Sequence, residues 1–201
     1  MIGVVDYQAG NIKSVELALA HLGAESITSG DPKVLADCER LIIPGDGHAG
    51  STMEVLKRTG LDIFLKNYFT TGKWMLGICI GCQIILDGSD EANTDCLGLI
   101  PGRCHLLPGG PGLKVPHMGW NRCLPQRSHF LFEGIPREAS FYFVHSYYTA
   151  PTIASDVLGI TDHGIDFPSA IGRDNLWAFQ FHPEKSGRWG LKMLANFLEA
   201  H

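Results

Sequence analysis

In Trp74-Met75-Leu76-Gly77-Ile78-Cys79-Ile80-Gly81-Cys82-Gln83 an apolar run stops at a cysteine flanked by glycines. A strand that feeds a tight turn and then a helix exposes its corner residue, and nearby glycines let the backbone bend without a Cβ clash. A thiol at that corner stands at a helix N-terminus, whose oriented N–H groups favour the nucleophilic thiolate. Taken alone, the same cysteine also fits an inert strand residue in a core. A second segment weighs against that. Residues 176–181 read as a buried strand that runs into His182-Pro183-Glu184-Lys185-Ser186. Side chains at i and i+2 of an extended segment share a side, and Pro183 biases His182 towards extended backbone. The imidazole and the Glu184 carboxylate are therefore expected to emerge together, the acid fixing the ring's tautomer and stabilising its protonated form. Cys79 as nucleophile, His182 as base and Glu184 as orienter make a set for acyl transfer.

Two further motifs invite other chemistry. Gly45-Asp46-Gly47-His48-Ala49-Gly50 matches the dinucleotide pattern G-x-G-x-x-G between a strand and a helix. That use wants an acid at the end of the next strand, which here ends in Gly77-Ile78-Cys79, and Asp46 would put negative charge where a pyrophosphate should lie. The segment reads better as an oxyanion loop. The backbone N–H of Asp46 would face the Cys79 corner and the N–H of Ile80 would be the second donor; such donors are worth about 3 kcal/mol each. Cys79-Ile80-Gly81-Cys82 is also a C-x-x-C, but no second close cysteine pair completes four ligands. Cys82 reads as packing, and neither a metal nor a cofactor is expected.

The elements that must position these groups alternate. Residues 2–5 and 41–43 read as strands, as does the run before the elbow. Residues 11–22 read as a helix with Val15, Leu19 and Leu22 on one face, ended by Gly23. Residues 51–57 start another, capped by Ser51 or Gly50, and 62–69 continue helically. Alternation of this kind predicts an α/β fold: an open, mostly parallel (mixed) central sheet with helices on both faces. After Gly88 come short strand-like runs at 114–115, 141–144, 170–171 and 176–181, then a closing helix over 187–198. Pro108-Gly109-Gly110-Pro111-Gly112 reads as a surface turn. With no linker or repeat, residues 1–201 read as one domain.

Bulk properties fit that reading. The chain has 201 residues, 45% hydrophobic and 18% charged, an ordinary globular balance with room for a large core. A net charge of −5 argues against nucleic acid or an anionic membrane as partner. No apolar run reaches membrane-span length, and Asp6 in the first strand argues against a secretory leader. Cysteines 38, 79, 82, 96, 104 and 123 show no disulfide framework, so reduced thiols in the cytoplasm are expected.

Six segments, in order along nearly the whole chain, resemble the motifs of class I glutamine amidotransferases. They are Asp6-Tyr7-Gln8-Ala9-Gly10-Asn11, Pro44-Gly45-Asp46-Gly47, the elbow at 77–83, residues 114–121, residues 142–147 and residues 180–186. His117-Met118-Gly119-Trp120-Asn121 and Phe143-Val144-His145-Ser146-Tyr147 resemble the HisH family in particular, the glutaminase subunits of imidazole glycerol phosphate synthase. The resemblance implies the flavodoxin-like class I fold. It implies hydrolysis of L-glutamine through a cysteinyl thioester, with ammonia passed to a HisF-type cyclase subunit in a heterodimer serving histidine biosynthesis. The alternatives are a paralogue supplying another aminating synthase, or a catalytically weak synthase-binding subunit. By the same resemblance Gly45 and Gly47 belong to the glutamine site, and Gln83, Glu91, His145, Ser146 and Tyr147 would hold the substrate's amino and carboxylate ends. Asn11, Trp120, Asn121, Tyr142 and Lys185 would face the cyclase. The chain departs from the family at Gln8, where a small residue is common, at Asp46-Gly47-His48-Ala49, where an apolar residue and a later aromatic are usual, and at Cys82, where a bulky apolar residue is usual.

Overall fold

The computed structural model describes residues 1–8, 11–110 and 112–200. Its first half runs strand β1 (Ile2–Val5), helix α1 (Ile12–His21), β2 (Ser26–Ser29), α2 (Pro32–Ala36), β3 (Arg40–Ile43), α3 (Ala49–Thr59), α4 (Leu61–Thr70), β4 (Trp74–Ile78) and α5 (Ile80–Ile84). Then follow β5 (Gly88–Ser89), β6 (Thr94–Asp95), β7 (Gly102–Leu106), β8 (His117–Arg122), β9 (Leu124–Pro125), β10 (Ser140–His145), β11 (Tyr147–Pro151), β12 (Val157–Asp162), β13 (Asp166–Arg173), β14 (Leu176–Phe179) and α6 (Gly187–Glu199).

Eight strands form the main sheet in the order β2-β1-β3-β4-β14-β13-β12-β9. Neighbours from β2 to β14 are parallel, and β13, β12 and β9 add antiparallel pairs. Strands buried on both faces read as unbroken apolar runs because alternate residues serve two cores. Val4, Ile42, Leu76 and Ile78 pack on one face with Val15 and Leu19 of α1 and Met193, Leu194 and Phe197 of α6. Val5, Leu41, Ile43 and Met75 pack on the other with Leu56 of α3 and Leu61 and Leu65 of α4. Among the described residues no helix is long and apolar enough to cross a membrane.

Several boundaries differ from the sequence-based expectation. The third helix starts at Ala49, capped by His48, whose Nδ1 accepts from the Gly50 N–H; Ser51 lies inside the helix. A histidine cap escapes a pattern search built on Ser, Thr, Asp and Asn. The strand expected at 114–115 lies at His117–Arg122 instead. Its inward positions carry His117 and Asn121 and its outward ones Met118 and Trp120, which inverts the usual alternation. The strand expected at 176–181 ends at Phe179, after which Gln180 N–H donates to Ser169 O and His182 N–H to Tyr142 O. Short β2 and α2 carried no apolar periodicity and were not expected. Of the expected turn at 108–112, Pro108, Gly109 and Gly110 are exposed, and Pro111 lies outside the described residues, as do Ala9 and Gly10 of the first motif.

The sheet explains how distant segments meet. β4 and β14 are parallel neighbours with Ile78 opposite Phe179, so the chain leaves both strands at one edge, towards Cys79 and His182. The elbow fits beneath β3 only because of its glycines. A Cβ on Gly81 would lie 2.2 Å from the Ile43 carbonyl oxygen, and one on Gly77 would lie 2.6 Å from the Gly81 oxygen. Gly81→Ala is therefore expected to destabilise the fold by about 1–3 kcal/mol, as overpacking of a rigid core does. Thermal denaturation should show a drop of roughly 2–4 °C per kcal/mol, and an unchanged midpoint would contradict the tight contact.

Candidate active site

Cys79 sits between β4 and α5 with φ 52° and ψ −105°, a positive-φ conformation that is costly for a residue with a Cβ. Its N–H donates to Phe179 O, closing the strand ladder, and its carbonyl accepts from Cys82 and Gln83 N–H at 2.9 and 3.2 Å, opening the helix. Ile80 is the first residue of that helix, so its N–H has no intrahelical acceptor. The Pro44-Gly45-Asp46-Gly47 loop lies against the elbow: a Cβ on Gly45 would fall 1.9 Å from Ile80 Cγ2. The buried Tyr7 hydroxyl, two residues past the end of β1, donates to the Pro44 carbonyl and anchors the loop. Gly47 has φ +130°, which a side chain rarely adopts.

Of the six cysteines, five are chemically quiet. Burial pushes their thiols up: Cys96 to about 11, Cys123 to about 12, and Cys38, Cys82 and Cys104 upward as well. Only Cys79 borders a cavity beside an imidazole.

His182 Nδ1 lies 2.8 Å from Glu184 Oε1, and the same oxygen accepts from Asn11 Nδ2 at 2.5 Å. The pair is together but does not emerge as the extended reading expected. Residues 183–185 form a single 3-10 turn, and the two side chains are at most 1% exposed. The main chain is fixed from both sides: His182 N–H donates to Tyr142 O at 2.9 Å, and Ser186 Oγ donates to His182 O at 2.6 Å while accepting from Tyr142 N–H. Burial opposes the charged ring, but the Cys79 sulfur and the Glu184 carboxylate outweigh it and raise His182 to about 10. The sulfur acts by proximity rather than through an aligned bond, because His182 Nε2 is buried with no partner of hydrogen-bonding geometry. A buried, unpaired ring nitrogen beside a thiol is suited to moving a proton rather than to holding the fold.

Above the thiol lies a cavity of about 190 Å³ lined by Asp46, Gly47, Cys79, Ile80, Gln83 and Glu91 on one side and by Pro116 and residues 144–147 on the other. That is smaller than the roughly 300–1,000 Å³ of drug-sized sites and suits a small polar substrate. Larger clefts of about 410 and 460 Å³ near Arg127 and His129 contain no cysteine, so chemistry and not size marks the site. Six of the seven expected substrate positions line this cavity or its rim; Gly45 is buried behind Ile80 and spaces the loop instead. Glu91 Oε2 already accepts from the Ala49 N–H at 2.6 Å, tying the cavity wall to the start of α3. The Asp46 side chain is exposed to solvent.

Of the expected docking residues, Trp120 is 60% exposed and its ring meets Tyr142 edge-on at 6.0 Å. Asn11, Asn121, Tyr142 and Lys185 are half-buried, with Asn11 turned onto Glu184. Sequence reasoning missed Asn11 as a support of the acid and Ser186 as a clamp on His182. The spacing of Ser186 four residues after His182, at the head of α6, was the available signal. Among the described residues no group of three or more His, Cys, Asp or Glu side chains is arranged to hold a metal ion.

The family described as glutamine amidotransferase class-I matches residues 4–200. The imidazole glycerol phosphate synthase subunit HisH of Nitratidesulfovibrio vulgaris strain DP4 is 48% identical over 203 residues, covering 98% of this chain and 95% of the relative. HisH of Maridesulfovibrio salexigens is 48% identical over 205 residues, covering 99% and 96%. Among solved structures, PurLQS from Thermotoga maritima aligns with a TM-score of 0.76 at 19% identity, covering 98% of this chain and 96% of that one. A glutamine amidotransferase crystal structure aligns at 0.75 and 20% identity, covering 98% and 97%. These last two show a shared fold.

The raised His182 makes a stability prediction. The folded protein holds this proton up to about pH 10 and the unfolded chain only to about 6.5, so the contribution is complete below 6.5 and fades as pH rises towards 10. Glu184→Gln removes one of the two partners that raise the ring. Urea unfolding between pH 6.5 and 10 is expected to show a flatter decline for the variant than for the wild type; parallel curves would refute the coupling.

Proposed function

Because the chain belongs to the class I glutamine amidotransferase family, and within it to the HisH family, we propose that it is the glutaminase subunit of an imidazole glycerol phosphate synthase. The observation that carries the reading is the meeting of a cavity-lining thiol with a buried, carboxylate-braced imidazole beside it, at a small polar cavity. In the proposed reaction Cys79 Sγ attacks the side-chain amide carbon of glutamine. The oxyanion is received by the backbone N–H groups of Asp46 and Ile80. His182 gives a proton to the leaving nitrogen, releasing ammonia and leaving a γ-glutamyl thioester on Cys79. Water, deprotonated by His182, then attacks the thioester and releases glutamate. Glu184 and, behind it, Asn11 keep the ring's Nδ1–H engaged so that Nε2 faces the reacting atoms.

Gln83, Glu91, His145, Ser146 and Tyr147 are proposed to hold the amino-acid end of the substrate. Ammonia is easily lost to protonation in water, so a dedicated glutaminase makes sense docked onto the enzyme that consumes it. The proposed partner is a HisF-type cyclase, seated on the face where Met118 and Trp120 are 64% and 60% exposed, with Asn11, Asn121, Tyr142 and Lys185 around them. Aromatic anchors that become buried on docking dominate interface energies. The relatives named HisH favour this reading over a paralogue serving another synthase. The proposal extends to residues 1–201 as one domain and to the cytoplasm, on the ground that all six cysteines are unpaired thiols.

The test measures glutamate release from glutamine with and without a HisF-type cyclase and its ribonucleotide substrate. Wild type with the partner is expected to turn over, and Cys79→Ala to lose roughly 1,000-fold or more, as removal of a nucleophile does. Equal activity of wild type and Cys79→Ala in the complex would end the enzyme reading.

A further inference from the structure

Behind the cavity wall runs a buried polar chain whose outer members, His117 and Asn121, the proposed reaction does not use. His145 borders the cavity, and His117 stands opposite it across the β8–β10 pair; they are 6% and 4% exposed. The direction of every hydrogen bond in the chain can be read from its ends. His145 Nδ1 lies 2.8 Å from Tyr147 O, and a carbonyl only accepts, so Nδ1 carries the proton. In a neutral ring Nε2 is then an acceptor, and its neighbour at 3.0 Å, His117 Nδ1, must donate. His117 Nε2 is left to accept, and it meets Asn121 Nδ2 at 3.2 Å.

The outer end gives the same polarity independently. Asn121 Nδ2 also donates to Asp162 O, and its Oδ1 accepts from the Arg122 N–H, both at 2.8 Å, so two backbone groups fix which way the amide points. A proton added to either ring would set two N–H donors against each other. Burial, with the neighbouring imidazoles opposing charge as well, holds His117 at about 4 and His145 at about 3, so both stay neutral. His163 stacks on His117 at 4.1 Å and Phe143 at 4.8 Å, clamping its ring plane.

At the inner end the Tyr147 carbonyl accepts a second bond, from Gln83 Nε2 at 2.9 Å. Gln83 Nε2 also reaches Gln180 Oε1 at 3.2 Å, so the carboxamide orientation of this cavity residue is set by the same network. We propose that His117 is a positioning residue for the amino-acid end of the substrate: by donating to His145 it fixes that ring's tautomer, and through Tyr147 O it holds Gln83 in one orientation along the cavity wall. The inference takes the identity of the ligand from the glutaminase reading; the chain of bonds stands without it.

The experiment compares alkylation of Cys79 by two reagents in the full-length chain. One is 6-diazo-5-oxo-L-norleucine, an electrophile shaped like glutamine; the other is iodoacetamide, which needs only the thiol. His117→Phe keeps the stacked ring and removes the bonds. It is expected to raise the half-saturating concentration of the glutamine analogue about tenfold, the size of one lost buried hydrogen bond, while the iodoacetamide rate stays within about twofold. His117→Gln, which can donate and accept at the same place, is expected to restore tight labelling. An unchanged half-saturation in His117→Phe, or equal slowing of both reagents, overturns the assignment. Wild type that reacts with iodoacetamide but never with the analogue overturns the glutaminase reading instead. Nitrogen NMR of wild-type histidines decides the polarity even if a variant fails to fold: neutral Nδ1–H rings are expected for both residues at pH 7, and an Nε2–H tautomer at His117 refutes the relay.

Discussion

His182 and Glu184 lie 2.8 Å apart with their side chains out of water, and charges so placed are costly to bury, on the order of several kcal/mol each, unless their hydrogen-bonding capacity is met. Much of the local architecture can be understood as meeting that demand. Asn11, at the left-handed entry to α1, gives its amide N–H to the carboxylate. Tyr142 of β10 receives the His182 N–H, and Ser186 closes the remaining carbonyl. The unpaired atoms that remain, His182 Nε2 and Glu184 Oε2, mark where the arrangement serves chemistry rather than stability. Three separate parts of the chain thus converge on one ring, and each has little local reason to be where it is.

The second constraint is steric. The thiol can sit at the edge of the sheet only if β3, the elbow and the 44–47 loop approach more closely than side chains permit. Gly45, Gly77 and Gly81 provide that approach at three successive contacts, against Ile80, the Gly81 carbonyl and Ile43. The strained backbone of Cys79 is held by a ladder bond on one side and helix-opening bonds on the other. All six cysteines are buried and unpaired, and what sets Cys79 apart is its place on the cavity beside His182, the other five being held as packing groups.

The polar wall opposite the elbow follows a different rule. β8 and β10 place imidazoles, an amide and aromatic rings inward, and the apolar Met118 and Trp120 outward. Inverted alternation is unfavourable in an isolated sheet edge and is consistent with an outer face meant to be covered. The inward groups are matched donor to acceptor, as a buried polar network must be if it is to specify one arrangement.

What could be read from the sequence was whatever is enforced locally. β1, β3, β4 and β14 were legible because burial on two faces demands continuous apolar runs, and Gly23 and the glycines of the elbow mark turns that other residues resist. Cys79, His182 and Glu184 were legible because their neighbours, two glycines in one case and a proline in the other, constrain the backbone that carries them. Residues 88–122 were largely illegible: β5 and β6 are two residues each, β5 to β8 pair in small sheets, and β8 turns polar side chains inward, so neither periodicity nor hydropathy reports them. Only the tertiary structure decided that Asn11 braces Glu184, that Gly45 spaces a loop rather than lines the cavity, and that His117 bonds His145. Each of those depends on a distance between segments remote in sequence, and no residue carries that distance in its own type or in its neighbours.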